Sequence, residues 1–539
     1  MTPDLIFVNG RLYQPGRPTS RAGALAVVAG RIWAVGSDPE IRALAGPATS
    51  TVDLAGGLLL PGFQDSHVHA LLAGSLDLNL GLEGVDSPEA LYEAVAAYAN
   101  SRPHGWIEGW GWSPELFPEG PRRAPLDQVT GDRPTLLTRS DGHAAWANTA
   151  ALRIADWLEP GAIDPDGGAI ERDGAGWATG VLQETAVDQM REFIPSPGPV
   201  ELRQGFLGAQ EHLLGLGVTA WQDASLRPGA AALYADLADS GDLKATVVGA
   251  LRWQDNRSHG QWADLLDEHI RFARSRFRPT SVKILYDGVV EGSRTAALLD
   301  PYLDESGKPT DNCGTTFFDR DELPVIITTV VRDGLRPHLH VIGDRAVRDA
   351  LDAIQKAGRE LGVAAVRRSR PILAHIQIIH PDDLGRFAEL GVIASAQPLW
   401  ANPEESMTKL TLPFLNPVQA AGQYSFRSLA DAGARLAGGS DWPVSTADPI
   451  QGIHVAVNRT RFGQSAEPFI PSEAITLAEA LTAYTWGSAY ANQREHESGR
   501  LDPGRLADLV VLDRDPFLAP PAEIGAAQAV RTFVAGQEV

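Results

Sequence analysis

Between residues 57 and 444 the chain repeats one pattern: a short apolar run ends in polar or glycine residues, and in many cases a helical stretch follows. The runs are GLLLPGFQD, RPTLLTRSD, GVTAWQDA, ATVVGALRW, SVKILYDG, LRPHLHVIGD, RPILAHIQ, GVIASAQPLW and ARLAGGSDWPV. Stretches with helical periodicity, such as RQGFLGAQEHLLGLG and DRAVRDALDAIQKAGRELG, separate many of them. Apolar strands alternating with helices specify a parallel α/β architecture. A closed barrel of this kind needs eight strands, and nine runs qualify. RPTLLTRSD is the surplus run. It falls in residues 76–200, a Pro- and Gly-punctuated stretch that also holds six of the 13 tryptophans. The expected fold class is therefore α/β: a (β/α)8 TIM barrel with an inserted subdomain at about 76–200, after the first barrel strand.

The two ends read differently. Residues 4–55 give short strands broken by turn signals, LIFVNGRLY, ALAVVAGRIWAVGS and TVDLAGG. The last stretch repeats the style in GRLDPGRLADLVVLDRDP and AVRTFVAGQEV. The "NG" and "AGR" steps punctuate β-rich runs as hairpins do. Both ends can meet in one small β domain, or form two separate modules.

Bulk properties exclude some partners. A net charge of −22 argues against nucleic acid, because phosphate binding needs a basic surface. Cys313 is the only cysteine, so no intrachain disulfide forms and an oxidising compartment receives no support. The start, MTPDLIFVNGRLYQPG, lacks the basic and apolar segments of a secretory signal. No run reaches the ~18 apolar residues of a membrane helix. A cytoplasmic protein acting on a small molecule is expected, with no nucleic-acid or membrane partner; a homodimer is left open.

The stretch LLLPGFQDSHVHA carries the first chemical signal. Residues i and i+2 of a strand share a face, so His67 and His69 point the same way. Two adjacent imidazoles at a strand end suit metal ligation; two solvent-facing histidines at a loop start are the plain alternative. Further polar residues mark later strands: Lys283 in the fourth, His340 ending the fifth, His375 in the sixth and Asp441 ending the eighth. Singly, each could be a hydrogen-bonded core histidine, half of a buried ion pair, or a turn cap. Six such residues at the ends of five strands converge on one barrel mouth, where barrel enzymes place their chemistry.

The ordered set PGFQDSHVHA, VKILYDGVVEGSRTAAL, HVIGDRAV, AHIQ followed by HPDDL, GSDWPV and GRLDPGRLADLVVLD resembles the amidohydrolase superfamily of metal-dependent hydrolases, in the branch related to N-substituted formamide deformylase. The resemblance runs over essentially the whole length. It implies a β-sandwich built from residues 1–57 and 491–539 beside a barrel spanning 58–490. It implies that His67, His69 and Asp441 bind the more buried metal, that Lys283 is carboxylated and bridges two metals, and that His340 and His375 hold the second. Imidazole and carboxylate donors suit Zn2+, one or two ions per chain. Such an ion activates water and polarises a carbonyl, and Asp441 is the expected general base. The implied reaction is hydrolysis of a non-peptide C–N bond in a small amide or N-substituted formamide. A lactone, carbamate or cyclic amidine is the alternative substrate, and a non-catalytic binding homologue the alternative class. One departure stands out: Ala374 replaces the Glu of a Glu-His-Ala-Gln style sequence and offers no carboxylate near the metal.

Weaker candidates follow. SDGHAAWANTAAL places His143 and Asn148 where the family carries a similar pattern near substrate, so His143 is expected as a catalytic substrate or oxyanion contact. Arg294 anchors either its loop or a substrate oxygen. Trp106, Trp110 and Trp112 either line an apolar pocket, with Trp112 touching substrate, or staple the core of the insertion. His338 shares a face with His340, but the motif selects His340. His380 is expected to cap a helix starting at Pro381. Arg294 and Arg345 are the nearest basic residues to the metal motifs in sequence, which favours a neutral, partly apolar substrate.

Overall fold

The computed structural model describes residues 2–539 apart from 77–78, 118, 140–143, 166–167, 196–197, 255–258 and 292–293. Two compact units emerge, Met1–Ala70 with Gln210–Val539, and Leu71–Ala209.

The larger unit contains eight parallel strands in sequential order: Phe63–Val68, Val218–Leu226, Thr246–Arg252, Phe277–Leu285, Arg336–Val341, Ile372–His375, Ile393–Ala396 and Arg435–Gly438. They correspond to eight of the nine apolar runs, and the fold is the expected (β/α)8 barrel. Their helices pack by the usual rule. In Asp344–Leu361, Val347, Ala350, Leu351 and Ile354 recur at three- and four-residue spacing and are buried. Asp344 in its first turn and Arg359 in its last complement the helix dipole. Each such Val, Leu or Ile side chain contributes about 1.5–3 kcal/mol when fully buried.

No strand ladder joins the eighth strand to the first. Short polar contacts close that seam instead. Asp441 N donates to His67 O (2.7 Å), and His69 N donates to Trp442 O (2.8 Å). Ser440 N reaches the two Asp65 carboxyl oxygens (3.2 and 3.1 Å), and Ser66 Oγ donates to Gly438 O (2.9 Å). Gly439 permits this approach, since a Cβ there would stand 3.0 Å from His67 Cβ and 3.1 Å from His67 N.

Both termini share one sheet, which resolves the choice between one β domain and two. Leu58–Pro61 pairs with Leu5–Leu12 on one side and with Leu509–Leu512 on the other. The sheet holds eight strands and curls on itself: Phe7 and Phe533 lie three strands apart in its order, yet their rings are 4.9 Å apart. GLLLPGFQD is therefore not one strand, as the sequence suggested. It divides at Gly62 into a terminal-sheet strand and a barrel strand, and Thr219 requires glycine there, since a Cβ at 62 would meet its Oγ1 at 2.3 Å.

The smaller unit has its own six-stranded sheet, in the order Gly168–Arg172, Ala178–Glu184, Ala144–Ala147, Thr135–Arg139, Ile107–Trp112 and Leu80–Gly81. The surplus run RPTLLTRSD supplies Thr135–Arg139. Among the described residues, no helix is long and apolar enough to cross a membrane.

Candidate metal centre

His67 is the fifth residue of the first barrel strand and is fully buried, whereas His69 lies just past the strand end with a side chain 17% exposed. Asp441 follows the eighth strand in a left-handed conformation (φ 57°), and His375 ends the sixth in the same region (φ 72°). Such backbone in non-glycine residues costs about 1–3 kcal/mol each and persists only where the surroundings impose it. The surroundings do so here. Asp441 N is tied to His67 O, and His375 N donates to Gln397 Oε1 (2.9 Å).

These turns aim three buried donor groups at one point. One donor atom each from His67, His375 and Asp441 lies within 4.8 Å of the others. Asp441 Oδ1 is 3.3 Å from His67 Nε2 and 3.0 Å from His69 Nε2, while Oδ2 is 3.9 Å from His375 Nδ1. Lys283 Nζ lies 3.2 Å from His67 Nε2. The His340 ring is 4.4 Å from that of His375, with its Nε2 facing Gly288 O at 3.3 Å. Trp400 stacks on His375, with ring centroids 5.7 Å apart.

The electrostatics favour ligating states. Burial, reinforced by Lys283, His69 and His340, holds the His67 imidazole well below its usual range, so it is neutral. Burial and His340 do the same for His375. Burial and Lys283 bring His340 down to about 4. Burial opposes ionisation of Asp441, but His69, His375 and Lys283 outweigh it and hold the carboxyl at about 2. Burial lowers the Lys283 amine to about 7, against the pull of Asp441 and with help from Arg252. Neutral imidazoles around an ionised carboxylate form a cation site. His375 Nδ1 is buried without a hydrogen bond, as a donor awaiting a cation would be. A divalent metal fits these residues.

The buried trio differs in one member from the set expected for the deeper metal: it takes His375, and His69 stands at the rim. The other candidates sort as follows. Trp112 is 2% exposed, donates through Nε1 to Leu137 O (2.8 Å) and packs beside Trp146 and Phe117 in the insert. This packing is that of the core alternative. Asn148 is likewise structural, capping Thr149–Ile154 and accepting from Thr135 N (3.0 Å). Arg294 places its guanidinium 3.7 Å over the Phe414 ring, the loop-anchoring alternative. His380 caps Pro381–Asp383 by accepting from Asp382 N. His143 lies outside the described residues.

Arg252 and Gln222 escaped the sequence reading, and His338 was set aside in favour of His340. Arg252 is the register partner of Lys283 on the adjacent strand and helps to lower its amine pKa. His338 Nε2 faces His67 Nδ1 at 2.8 Å, and Gln222 Nε2 faces His338 Nδ1 at 2.6 Å. The shared face of His338 and His340 was legible, but not that His338 would reach the back of His67.

Residues 50–539 match the amidohydrolase family. The chain belongs to that family. This amidohydrolase is 29% identical over 553 residues to Protein LONG AFTER FAR-RED 3 of Arabidopsis thaliana, covering 99% of this chain and 91% of the plant protein. It is 28% identical over 565 residues to the N-substituted formamide deformylase of Arthrobacter pascens, covering 99% and 97%. Among solved structures it resembles an uncharacterized metal-dependent hydrolase from Pyrococcus furiosus, with 28% identity, a TM-score of 0.76, and coverage of 95% of this chain and 99% of that one. Family and buried donor cluster agree: this amidohydrolase is a metal-dependent hydrolase, not a scaffold that has lost its site.

Proposed function

We propose that this amidohydrolase cleaves a non-peptide C–N bond in a small amide, with N-substituted formamides as the leading class. The observation that carries the reading is the buried, ionised Asp441 facing His67, His69 and His375. Resemblance over nearly the full length to a deformylase supports the substrate class. Imidazole and carboxylate donors suit Zn2+, which when bound polarises the substrate carbonyl and lowers the pKa of water.

The chain's own residues do the rest. His67, His375 and Asp441 hold the cation, with His69 at the rim. Lys283, as a carbamate, and His340 would hold a second cation. The Asp441 carboxylate takes the proton of the attacking water and passes it to the leaving nitrogen. His143 contacts the substrate oxygen. The expected bias toward neutral substrates loses one support, because Trp112 is packed in the insert core.

The test is a kinetic panel of formamides, other small amides, lactones, carbamates and cyclic amidines on zinc-loaded protein. Formamides or small amides should give the highest kcat/KM; faster lactone or amidine turnover would reassign the bond. His143→Ala should lower kcat/KM about ten- to a thousandfold, the scale of one lost polarising hydrogen bond, with metal content unchanged.

A further inference from the structure

Behind the donor cluster lies a buried chain of hydrogen bonds, Gln222–His338–His67, whose three side chains are fully enclosed. Gln222 Nε2 stands 2.6 Å from His338 Nδ1, and His338 Nε2 stands 2.8 Å from His67 Nδ1. Each neutral imidazole has one N–H and one lone pair, so the direction of donation at one end fixes the direction at the other. With the amide nitrogen of Gln222 donating, His338 keeps its proton on Nε2 and donates it to His67 Nδ1. His67 then carries its own proton on Nε2, the nitrogen facing Asp441 and Lys283. That nitrogen has no lone pair left for a cation. The same arrangement leaves Gln222 Oε1 buried without a hydrogen bond.

We infer that Gln222 and His338 form a tautomer switch that positions His67 for metal binding: half a turn of the Gln222 amide reverses every donor in the chain. Oε1 then accepts from His338 Nδ1, His338 Nε2 accepts from His67 Nδ1, and His67 Nε2 presents its lone pair. Net protonation is unchanged. His338 passes its Nε2 proton to His67 Nδ1, and His67 gives up its Nε2 proton through the Asp441 carboxylate to solvent. His338 Nδ1 takes one up from solvent in return. A metal-ligating histidine is normally oriented by a partner that accepts from its other nitrogen. Here that acceptor is a second histidine, itself set by an amide able to take either role. This strand-five histidine offers a neutral acceptor behind a ligand, in a site where Ala374 supplies no carboxylate. His338 and Gln222 are positioning residues, acting through His67.

The inference rests on His67 being a ligand, and the experiment separates the two. Zinc affinity is measured by competition with a chromophoric chelator for wild type, Gln222→Glu, Gln222→Leu, His338→Phe and His67→Ala. A carboxylate at 222 only accepts, so Gln222→Glu should bind zinc at least as tightly as wild type. Gln222→Leu and His338→Phe should bind about ten- to a hundredfold more weakly. Neutron diffraction of zinc-loaded wild type should place hydrogen on Nδ1 of both His67 and His338. Affinity within threefold of wild type in both weakened variants, weaker binding by Gln222→Glu than by Gln222→Leu, or hydrogen on His338 Nε2 in the loaded protein would overturn the switch. Unchanged zinc affinity in His67→Ala would instead overturn the ligand assignment beneath it.

Discussion

Two His-x-His pairs sit at strand ends of this barrel and do different work. In His67-Val68-His69 both imidazoles face Asp441, one buried and one at the rim. In His338-Leu339-His340 the first ring turns to the back of His67 and the second lies beside His375. Strand alternation gives both pairs a common inward face. Depth separates them. His69 lies beyond its strand, whereas His338 and His340 both lie within Arg336–Val341, where His338 is level with Lys283. A pair that straddles the strand end can present two donors to the mouth. A pair set lower presents one and supports a neighbour with the other.

The largest effect should come from the first pair. His67→Ala is expected to lower activity at least about a thousandfold, since it removes a holder of a cation that contributes several kcal/mol to charge stabilisation. Metal content, measured by mass spectrometry, should fall with it. Lys283→Ala touches both pairs, being close to His67 Nε2 and level with His338. Its activity should fall about a hundredfold or more, and short carboxylic acids should restore part of it by replacing the carbamate. A variant with undiminished kinetics would remove Lys283 from the site. Gly439→Ala presses a Cβ against His67 of the first pair and against Gln397, which holds His375. Overpacking of this kind costs about 1–3 kcal/mol, so zinc affinity should drop about tenfold while the fold survives. Wild-type affinity there would show that the seam does not fix His67. Trp112→Phe lies outside both pairs and should cost about 1 kcal/mol in chemical denaturation, the scale of one hydrogen bond. Its kcat/KM should be unchanged; a loss would return Trp112 to the pocket.

The eight barrel strands were legible because strands covered on both faces read as near-continuous apolar runs. The donors at their ends were legible because charged and imidazole groups stand out in such runs. Other features depend on how the sheet closes, which no local pattern encodes. Arg252 and Lys283 are about thirty positions apart in sequence and become neighbours only through strand register. Gln222 reads as an ordinary polar residue until closure places it behind His338. The need for glycine where GLLLPGFQD divides comes from Thr219, contributed by another strand. Trp112 shows the reverse limit, for an aromatic residue in an insert reads alike whether it lines a pocket or a core.

Anomalous diffraction from the metal-loaded protein tests the central claim most directly. A peak at the absorption edge of the bound metal should lie within bonding distance of His67, His375 and Asp441, and chelation should abolish both the peak and turnover. A peak bonded elsewhere, or full turnover by chelator-stripped protein shown to be metal-free, would contradict the account.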